Sequence, residues 1–173
     1  FDLGDLDVVH HHHHQDLWPA DSTTVDVGDG PHDLGEISTP DNWELSFTVK
    51  IDDGGLAFDD KWNSIIHVAD AHGESPDDYY PALFFYKTKT MYVYQSKVSS
   101  GRDYLESTTV FEAGETYDVL VKNIGSKISI YVDGQLDNSQ QFEGPHASTA
   151  GELKVGWSGG KYPPAAATIS NAR

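Results

Sequence analysis

Apolar and polar residues alternate with a period of two from Trp43 onward, a pattern typical of half-buried β-strands. Between Glu44 and Ile51, every second residue is apolar. The same alternation, bounded by Gly, Pro, Asn or Asp, recurs in six further segments: 64–68, 82–86, 91–95, 117–122, 127–132 and 152–157. Strands at intervals of about ten residues, without helical periodicity between them, predict an all-β fold in which two antiparallel sheets pack as a jelly-roll sandwich.

Two hairpin connections follow from local turn chemistry. The segment 123–126 is expected to join the strands on either side of it. The Asp133-Gly134 pair suits the positive φ angles of a two-residue turn and is expected to lead into a strand from Gln135. The three strands around these turns therefore form a predicted meander.

The chain of 173 residues is expected to form one domain over residues 1–173. Residues 41–173 are assigned to the core sandwich. Residues 1–40 are an irregular, acidic, His-rich segment, in which we predict an edge strand at 1–9, long connecting loops and a short strand around 25–27.

Charge and hydropathy restrict the partners. The formal net charge is −17, and residues 1–60 contribute −14 of it. A field of that sign repels phosphate backbones and anionic lipid, so no nucleic-acid partner is expected, while cations, neutral sugars and basic proteins remain. No apolar run approaches a membrane span and no signal peptide is visible, so we expect no membrane insertion and a chain that starts inside or after any leader. There is no Cys, hence no disulfide.

Four runs resemble the laminin G-like and concanavalin A-like lectin/glucanase superfamily: 42–49, 64–68, 81–86 and 128–134. The most specific piece is the Tyr131-Val132-Asp133-Gly134 hairpin, which together with 153–156 looks like the penultimate and last strands of that superfamily. The resemblance implies a jelly-roll sandwich. Its members include lectins, adhesion modules, glycosidases and polysaccharide lyases, so the fold alone does not assign a function.

Catalytic patterns of these enzymes are incomplete here. The Glu-x-Asp-x-Glu motif of the glucanases does not occur. The jelly-roll lyases carry Gln-Ile-His on one strand and a Lys/Tyr segment near the carboxyl end. His67, Lys161 and Tyr162 resemble that set, but Ile65 replaces the Gln and no amino-terminal Arg is present. His67 is therefore expected to be a solvent-facing strand histidine, and a lyase is the alternative.

Metal binding is expected from acidic loops rather than from the histidine run. The five consecutive histidines from His10 to His14 are interpreted as a solvated segment, with an expression tag or a transition-metal site as alternatives. Calcium prefers carboxylate and carbonyl oxygens. The candidate calcium ligands are Asp26, Asp29, Asp52, Asp53, Asp59 and Asp60, although ordinary turn formation also explains Asp and Gly in loops.

Aromatic side chains supply the remaining binding signal, because sugar rings stack on exposed Trp and Tyr. In Met91-Tyr92-Val93-Tyr94, the two tyrosines fall on the strand face opposite Met91 and Val93. The candidate glycan-binding residues are Tyr92, Tyr94, Trp62, Tyr80 and Trp157.

Together these patterns predict a non-catalytic glycan-binding module, assisted by calcium, on a secreted protein or on a cell or virion surface. Its partners would be a glycan or polysaccharide and other surface proteins. A polysaccharide lyase or another carbohydrate-active enzyme is the first alternative. A structural or adhesive component of an extracellular or virion surface assembly is the second.

Overall fold

The computed structural model describes residues 24–58, 61–70, 78–147, 149–157, 159 and 161–173. In this part of the chain the backbone forms twelve β-strands and one 3₁₀ turn, Val27–Asp29. The strands are β1 (Thr24–Asp26), β2 (His32–Thr39), β3 (Trp43–Ile51), β4 (Trp62–Asp70), β5 (Ala82–Tyr86), β6 (Met91–Ser96), β7 (Arg102–Glu106), β8 (Thr116–Ile124), β9 (Lys127–Val132), β10 (Gln135–Gln141), β11 (Thr149–Val155) and β12 (Ala167–Ser170).

The strands form two six-stranded sheets. The first sheet has the order β1-β12-β3-β8-β9-β10, and the second sheet has the order β2-β11-β4-β5-β6-β7. Neighbouring strands pair antiparallel throughout both sheets. The predicted all-β, two-sheet antiparallel sandwich is therefore confirmed.

The core lies between the two sheets and is built by the alternation seen in the sequence. Along β3, the apolar residues that alternate with polar ones are buried: Leu45, Phe47, Val49 and Ile51. They belong to one apolar cluster with Leu83 and Phe85 of β5 and with Met91 and Val93 of β6. Because each strand sends alternate residues to this core, the remaining residues of the second sheet form its outer face.

The strands that alternation did not reveal lie mainly at sheet edges. β2 and β7 are the two edges of the second sheet, and β10 is an edge of the first. All seven residues of β10 are at least partly exposed. Edge strands carry polar and charged side chains because an apolar edge would pair with another chain, and this weakens the alternation. The resemblance placed the last strand at 153–156, but β12 follows it.

The turn between β8 and β9 is shorter than the sequence predicts. β8 continues to Ile124 and β9 begins at Lys127, so the turn consists of Gly125 and Ser126, with φ of 57° and 63°. The predicted four-residue connection at 123–126 is therefore too long. Asp133 and Gly134 have φ of 51° and 81°, which confirms the predicted two-residue turn.

The amino-terminal segment is more regular than expected within the described residues. β1 overlaps the short strand predicted around 25–27, whereas β2 replaces predicted loop, and both strands belong to the sandwich. The predicted strand at 1–9 and the histidines at 10–14 lie outside the described residues. Among the residues that the structure describes, no helix has the length and apolar character needed to cross a bilayer.

Two glycines bring the 3₁₀ turn against the end of β11. Gly30 follows the turn, and Gly156 follows β11 with a φ of 70°. A Cβ on Gly156 would lie 2.6 Å from the carbonyl oxygen of Val27 and 3.3 Å from the Cα of Gly30. The backbone N–H of Gly156 donates to the carbonyl oxygen of Ile65, 2.8 Å away, in β4. Because Gly30 and Gly156 have no side chains, the backbone after β11 can lie directly against the backbone of the 3₁₀ turn.

Candidate functional site

The outer face of the second sheet carries aromatic side chains on neighbouring strands. Tyr94 of β6 pairs with Ala82 of β5 on one side and with Tyr104 of β7 on the other. Tyr92 pairs with Phe84 in the adjacent row. Directly opposed side chains on one sheet face lie about 5 Å apart, so these rings touch one another.

Aromatic contacts extend across this face without interruption, and we call the set of side chains involved the ring layer. It consists of Trp62, His67, Tyr79, Phe84, Tyr86, Tyr92, Tyr94, Tyr104, Trp157 and Tyr162. Outer sheet faces of antiparallel sandwiches are ordinarily polar. An aromatic outer face therefore needs a functional explanation.

Trp62 lies at the centre of the ring layer. This half-buried indole pairs across the sheet with Tyr86, at a ring separation of 4.4 Å. The other ring separations from Trp62 are 4.9 Å to Tyr92, 5.7 Å to Tyr94, 5.9 Å to Phe84 and 6.4 Å to Tyr162. Trp62 therefore holds together rings from β5, β6 and the carboxyl-terminal segment.

A ladder of rings runs across the strands beside Trp62. Ring separations along it are 5.1 Å from Trp157 to His67, 5.5 Å from His67 to Tyr79, 5.2 Å from Tyr79 to Tyr94 and 5.5 Å from Tyr94 to Tyr104. Ala82 separates His67 from Tyr94 in the sheet, and its small side chain leaves the space that the ring of Tyr79 fills. The ladder ends at Tyr104, which is 53% exposed.

His67 is buried within this ladder rather than facing solvent. Its relative exposure is 0%, and its Nε2 lies 2.7 Å from the carbonyl oxygen of Asp78. Because a carbonyl oxygen only accepts, Nε2 carries the proton of this bond. The prediction of a solvent-facing histidine is wrong: the residue does lie on the outer side of the strand, but the rings of Tyr79 and Trp157 cover it.

The central tyrosines stay neutral well above physiological pH. Burial, followed by the negative charge that Tyr79 would carry, raises the pKa of Tyr94 to about 12. Burial and then the hydrogen bond with Glu106 raise the pKa of Tyr92 far above its usual range. Neutral phenols donate and accept hydrogen bonds to hydroxyl groups, but they are poor general bases.

Basic side chains lie over rings at the borders of the layer. The Nζ of Lys154 is 4.6 Å from the ring centre of Trp157, and that of Lys161 is 5.5 Å from Tyr162. The guanidinium of Arg102 lies 5.5 Å from the ring of Tyr79 and 5.9 Å from that of Tyr94. Cations are attracted to the negative faces of aromatic rings, so the layer orients these charges.

The structure brings together most of the aromatic residues selected from the sequence. Tyr92, Tyr94, Trp62 and Trp157 belong to the ring layer, as does Tyr162. Tyr80 does not, because it packs against the main core. Sequence reasoning missed Phe84, Tyr86, Tyr104 and Arg102. The alternation in β5 carries a signal for Phe84 and Tyr86, since both fall on the face opposite Phe85.

The acidic loop residues selected for calcium do not form a cluster in the described chain. The Oδ1 of Asp26 accepts a hydrogen bond from the backbone N–H of Gly28 at 3.0 Å, and Asp53 pairs with Lys50 at 3.2 Å. Asp29 and Asp52 are exposed, and Asp59 and Asp60 lie outside the described residues. No three His, Asp or Glu side chains among the described residues come together as a metal site.

A groove of about 640 Å³ lies on the outer face of the first sheet. Its lining includes Ser46, Thr48, Lys122 and Tyr131, and the Nζ of Lys122 is 5.4 Å from the ring of Tyr131. The groove is larger than a gap between single side chains, but it presents one tyrosine where the second sheet presents a continuous layer. Stacking on sugars depends on ring surface, so the ring layer is the stronger candidate.

Comparisons with known proteins support the fold of this chain. No family model matches the sequence, and no curated protein matches it. Among solved structures, the Ruminococcus gnavus IT-sialidase CBM40 bound to alpha2,3 sialyllactose has a TM-score of 0.58 at 10% identity, covering 87% of this chain and 90% of that chain. The chain has the β-sandwich fold of this structure.

Two further structures share this β-sandwich fold. The native heptameric SAP-like pentraxin from Limulus polyphemus has a TM-score of 0.55 at 16% identity, covering 82% of this chain and 65% of the pentraxin. The botulinum neurotoxin type G receptor binding domain has a TM-score of 0.55 at 13% identity, covering 88% of this chain and 40% of that domain. The chain thus spans less than two thirds of either protein.

Proposed function

We propose that this chain is a non-catalytic glycan-binding module and that the ring layer is its binding surface. The observation that carries the proposal is the aromatic outer face itself. The apolar faces of sugar rings stack on Trp and Tyr, while the neutral tyrosine hydroxyls pair with sugar hydroxyls. Tyr104 is the exposed ring of this face, and the rings of Tyr94 and Tyr92 beside it are partly exposed, so we expect a glycan to contact these three rings first.

The structural neighbours support the same class of function. The CBM40 structure contains sialyllactose, and the botulinum neurotoxin domain is named for receptor binding. We extend glycan binding to this chain as a proposal, together with a secreted or surface location and other surface proteins as further partners. The shared fold supports this class without specifying the sugar.

The lyase alternative is weaker because its candidate base is inaccessible. His67 is buried and its Nε2 proton is directed at the carbonyl oxygen of Asp78. A general base must reach the proton that it removes from the substrate.

A glycan array probed with the purified chain tests the proposal. We expect binding to a defined group of glycans, and no release of unsaturated uronate, read by ultraviolet absorbance, from any polyuronate. An array without a bound glycan contradicts the proposal. Turnover that disappears in His67→Ala favours the lyase instead.

We also propose that calcium binds to the acidic loops, separately from the ring layer. The expected result is a higher melting temperature when calcium is added to chelator-treated protein, with a gain near 2.7 kcal/mol at 100-fold excess over the dissociation constant. Asp26, Asp29 and Asp52 are the described residues that would contribute. An unchanged melting temperature contradicts the site, and an equal gain with magnesium indicates charge screening alone.

A further inference from the structure

Basic side chains border the ring layer, although the chain has a formal net charge of −17. Four of the eleven basic residues place their charged group over a ring of this layer: Lys87, Arg102, Lys154 and Lys161. The charge of the whole chain, which favours neutral sugars as ligands, therefore does not describe this face. A binding surface is governed by the charges within a Debye length of it.

Arg102 and Lys87 form no ion pair within the described part of the chain, and Arg102 in addition lies over two rings. Among the described residues, no carboxylate lies within ion-pair distance of its guanidinium. The neighbouring Asp103 points elsewhere, since its Oδ2 lies 2.7 Å from the Nε2 of the buried His146. The rings of Tyr79 and Tyr94 orient the guanidinium instead. Within the part of the chain that the structure describes, its N–H groups therefore remain for a ligand.

Two acidic side chains of this face, those of Glu106 and Glu152, have other partners. The Oε2 of Glu106 accepts a hydrogen bond from the hydroxyl of Thr90 at 2.6 Å, and Glu106 also bonds with Tyr92. Glu152 lies 3.8 Å from the Nζ of Lys154 and partly compensates that lysine. Neither carboxylate forms an ion pair with Arg102, so its guanidinium can bind an acidic group beside the most exposed ring, Tyr104.

Building on the proposed function, we propose that the ring layer binds an acidic polysaccharide, with Arg102 as the anchor for its carboxylate or sulfate groups. A planar guanidinium matches the two oxygens of such a group. The exposed ring of Tyr104, 5.5 Å from that of Tyr94, stacks on the sugar that carries the group.

The positions of the cations favour a chain over a single acidic sugar. The guanidinium of Arg102 lies over the ring of Tyr94, whereas the exposed Lys87 lies over the ring of Tyr86, and the ring of Tyr92 lies between these two rings. The ring separations are 6.1 Å from Tyr94 to Tyr92 and 5.4 Å from Tyr92 to Tyr86. A ligand that reaches both Arg102 and Lys87 must carry acidic groups at intervals along its length, as a polysaccharide with charged repeats does.

The experiment compares polymers that differ in charge alone. A polyuronate is measured against its carboxyl-reduced neutral form, and a sulfated galactan against its desulfated form, with sialyllactose as a short acidic ligand. We expect the affinity for each charged polymer to be at least roughly 10-fold higher than the affinity for its neutral counterpart. This ratio of affinities should fall at high salt, because salt screens the charges. The better of the two charged polymers identifies carboxylate or sulfate as the preferred group.

Variants then assign the preference to Arg102. Arg102→Gln is expected to bring the charged-to-neutral affinity ratio close to one, and Arg102→Lys to keep part of it. Lys122→Gln is the matched control, because Lys122 also lies over a tyrosine ring but on the other sheet. This control should retain the full ratio.

The outcomes separate this inference from the proposed function. Equal binding of charged and neutral polymers overturns the acidic ligand and leaves glycan binding intact. Binding of sialyllactose without either charged polymer overturns the extended chain. An unchanged ratio in Arg102→Gln overturns the anchor, and failure of every glycan to bind overturns both proposals.

Discussion

Replacing Trp62 by Ala is expected to weaken glycan binding by about 2–4 kcal/mol, or roughly 30-fold or more in affinity, as for central aromatic anchors in other interfaces. The indole contacts the rings of Tyr86, Tyr92, Tyr94, Phe84 and Tyr162. Its removal takes away stacking surface and also the support that fixes the neighbouring rings. Titration calorimetry with the best-binding glycan of the array measures the effect.

Two variants keep this result interpretable. Trp62→Phe retains an aromatic ring and should lose less affinity than Trp62→Ala. Tyr131→Ala removes a ring with a lysine over it from the outer face of the first sheet and should bind within about 2-fold of the unmodified protein, since distant sites act independently. If Trp62→Ala folds normally and binds as tightly as the unmodified protein, or if Tyr131→Ala loses as much, the ring layer is not the binding surface.

The second large effect is on stability. Gly156→Ala is expected to lower the free energy of unfolding by about 2–5 kcal/mol, combining about 1–2 kcal/mol for a left-handed backbone with about 1–3 kcal/mol for overpacking. The new Cβ would lie 2.6 Å from the carbonyl oxygen of Val27, and both sides of this contact are backbone. For a chain of this size, the melting temperature should fall by roughly 4–20 °C.

Gly125→Ala separates the two causes. Gly125 also has a positive φ, 57°, but a Cβ there would have no atom within 4 Å. This variant should therefore show the backbone cost alone, about 1–2 kcal/mol. Equal losses in Gly125→Ala and Gly156→Ala would mean that the contact with the 3₁₀ turn costs nothing.

Gly156 also connects stability to the proposed binding surface. Trp157 is the next residue, and its carbonyl oxygen accepts a hydrogen bond from the hydroxyl of Ser64 at 2.6 Å. A displaced Gly156 would shift the indole that covers His67. Reduced glycan binding is therefore expected in Gly156→Ala at temperatures where the variant is still folded.

The central strands were predictable because one of their faces is buried. Along β3 and β6, burial on one side forces strict alternation, and the bounds of β5 and β9 agree with the predicted segments. β2 and β7 have one sheet neighbour each, so their charged residues obscured the pattern. Arg102 and Tyr104 were missed for this reason, since both belong to β7.

The ring layer could be predicted only in part because it depends on contacts between distant residues. The tyrosine pair of β6 follows from alternation within one strand. The position of Tyr79 over Ala82 does not, because it requires a loop residue to fold back between His67 and Tyr94. The formal net charge was also misleading about the ligand. It is a sum over the whole chain and does not show that basic residues lie together on one face.

The contacts within the ring layer exist before any ligand arrives. Tyr92, Tyr94 and Tyr104 already lie within 5.5–6.1 Å of one another, centre to centre, and Trp62 packs against two of them. Each of these side chains has two torsion angles, and mutual packing has removed most of their conformational freedom during folding. Binding therefore loses little further side-chain entropy, so a modest contact area can still give a useful affinity.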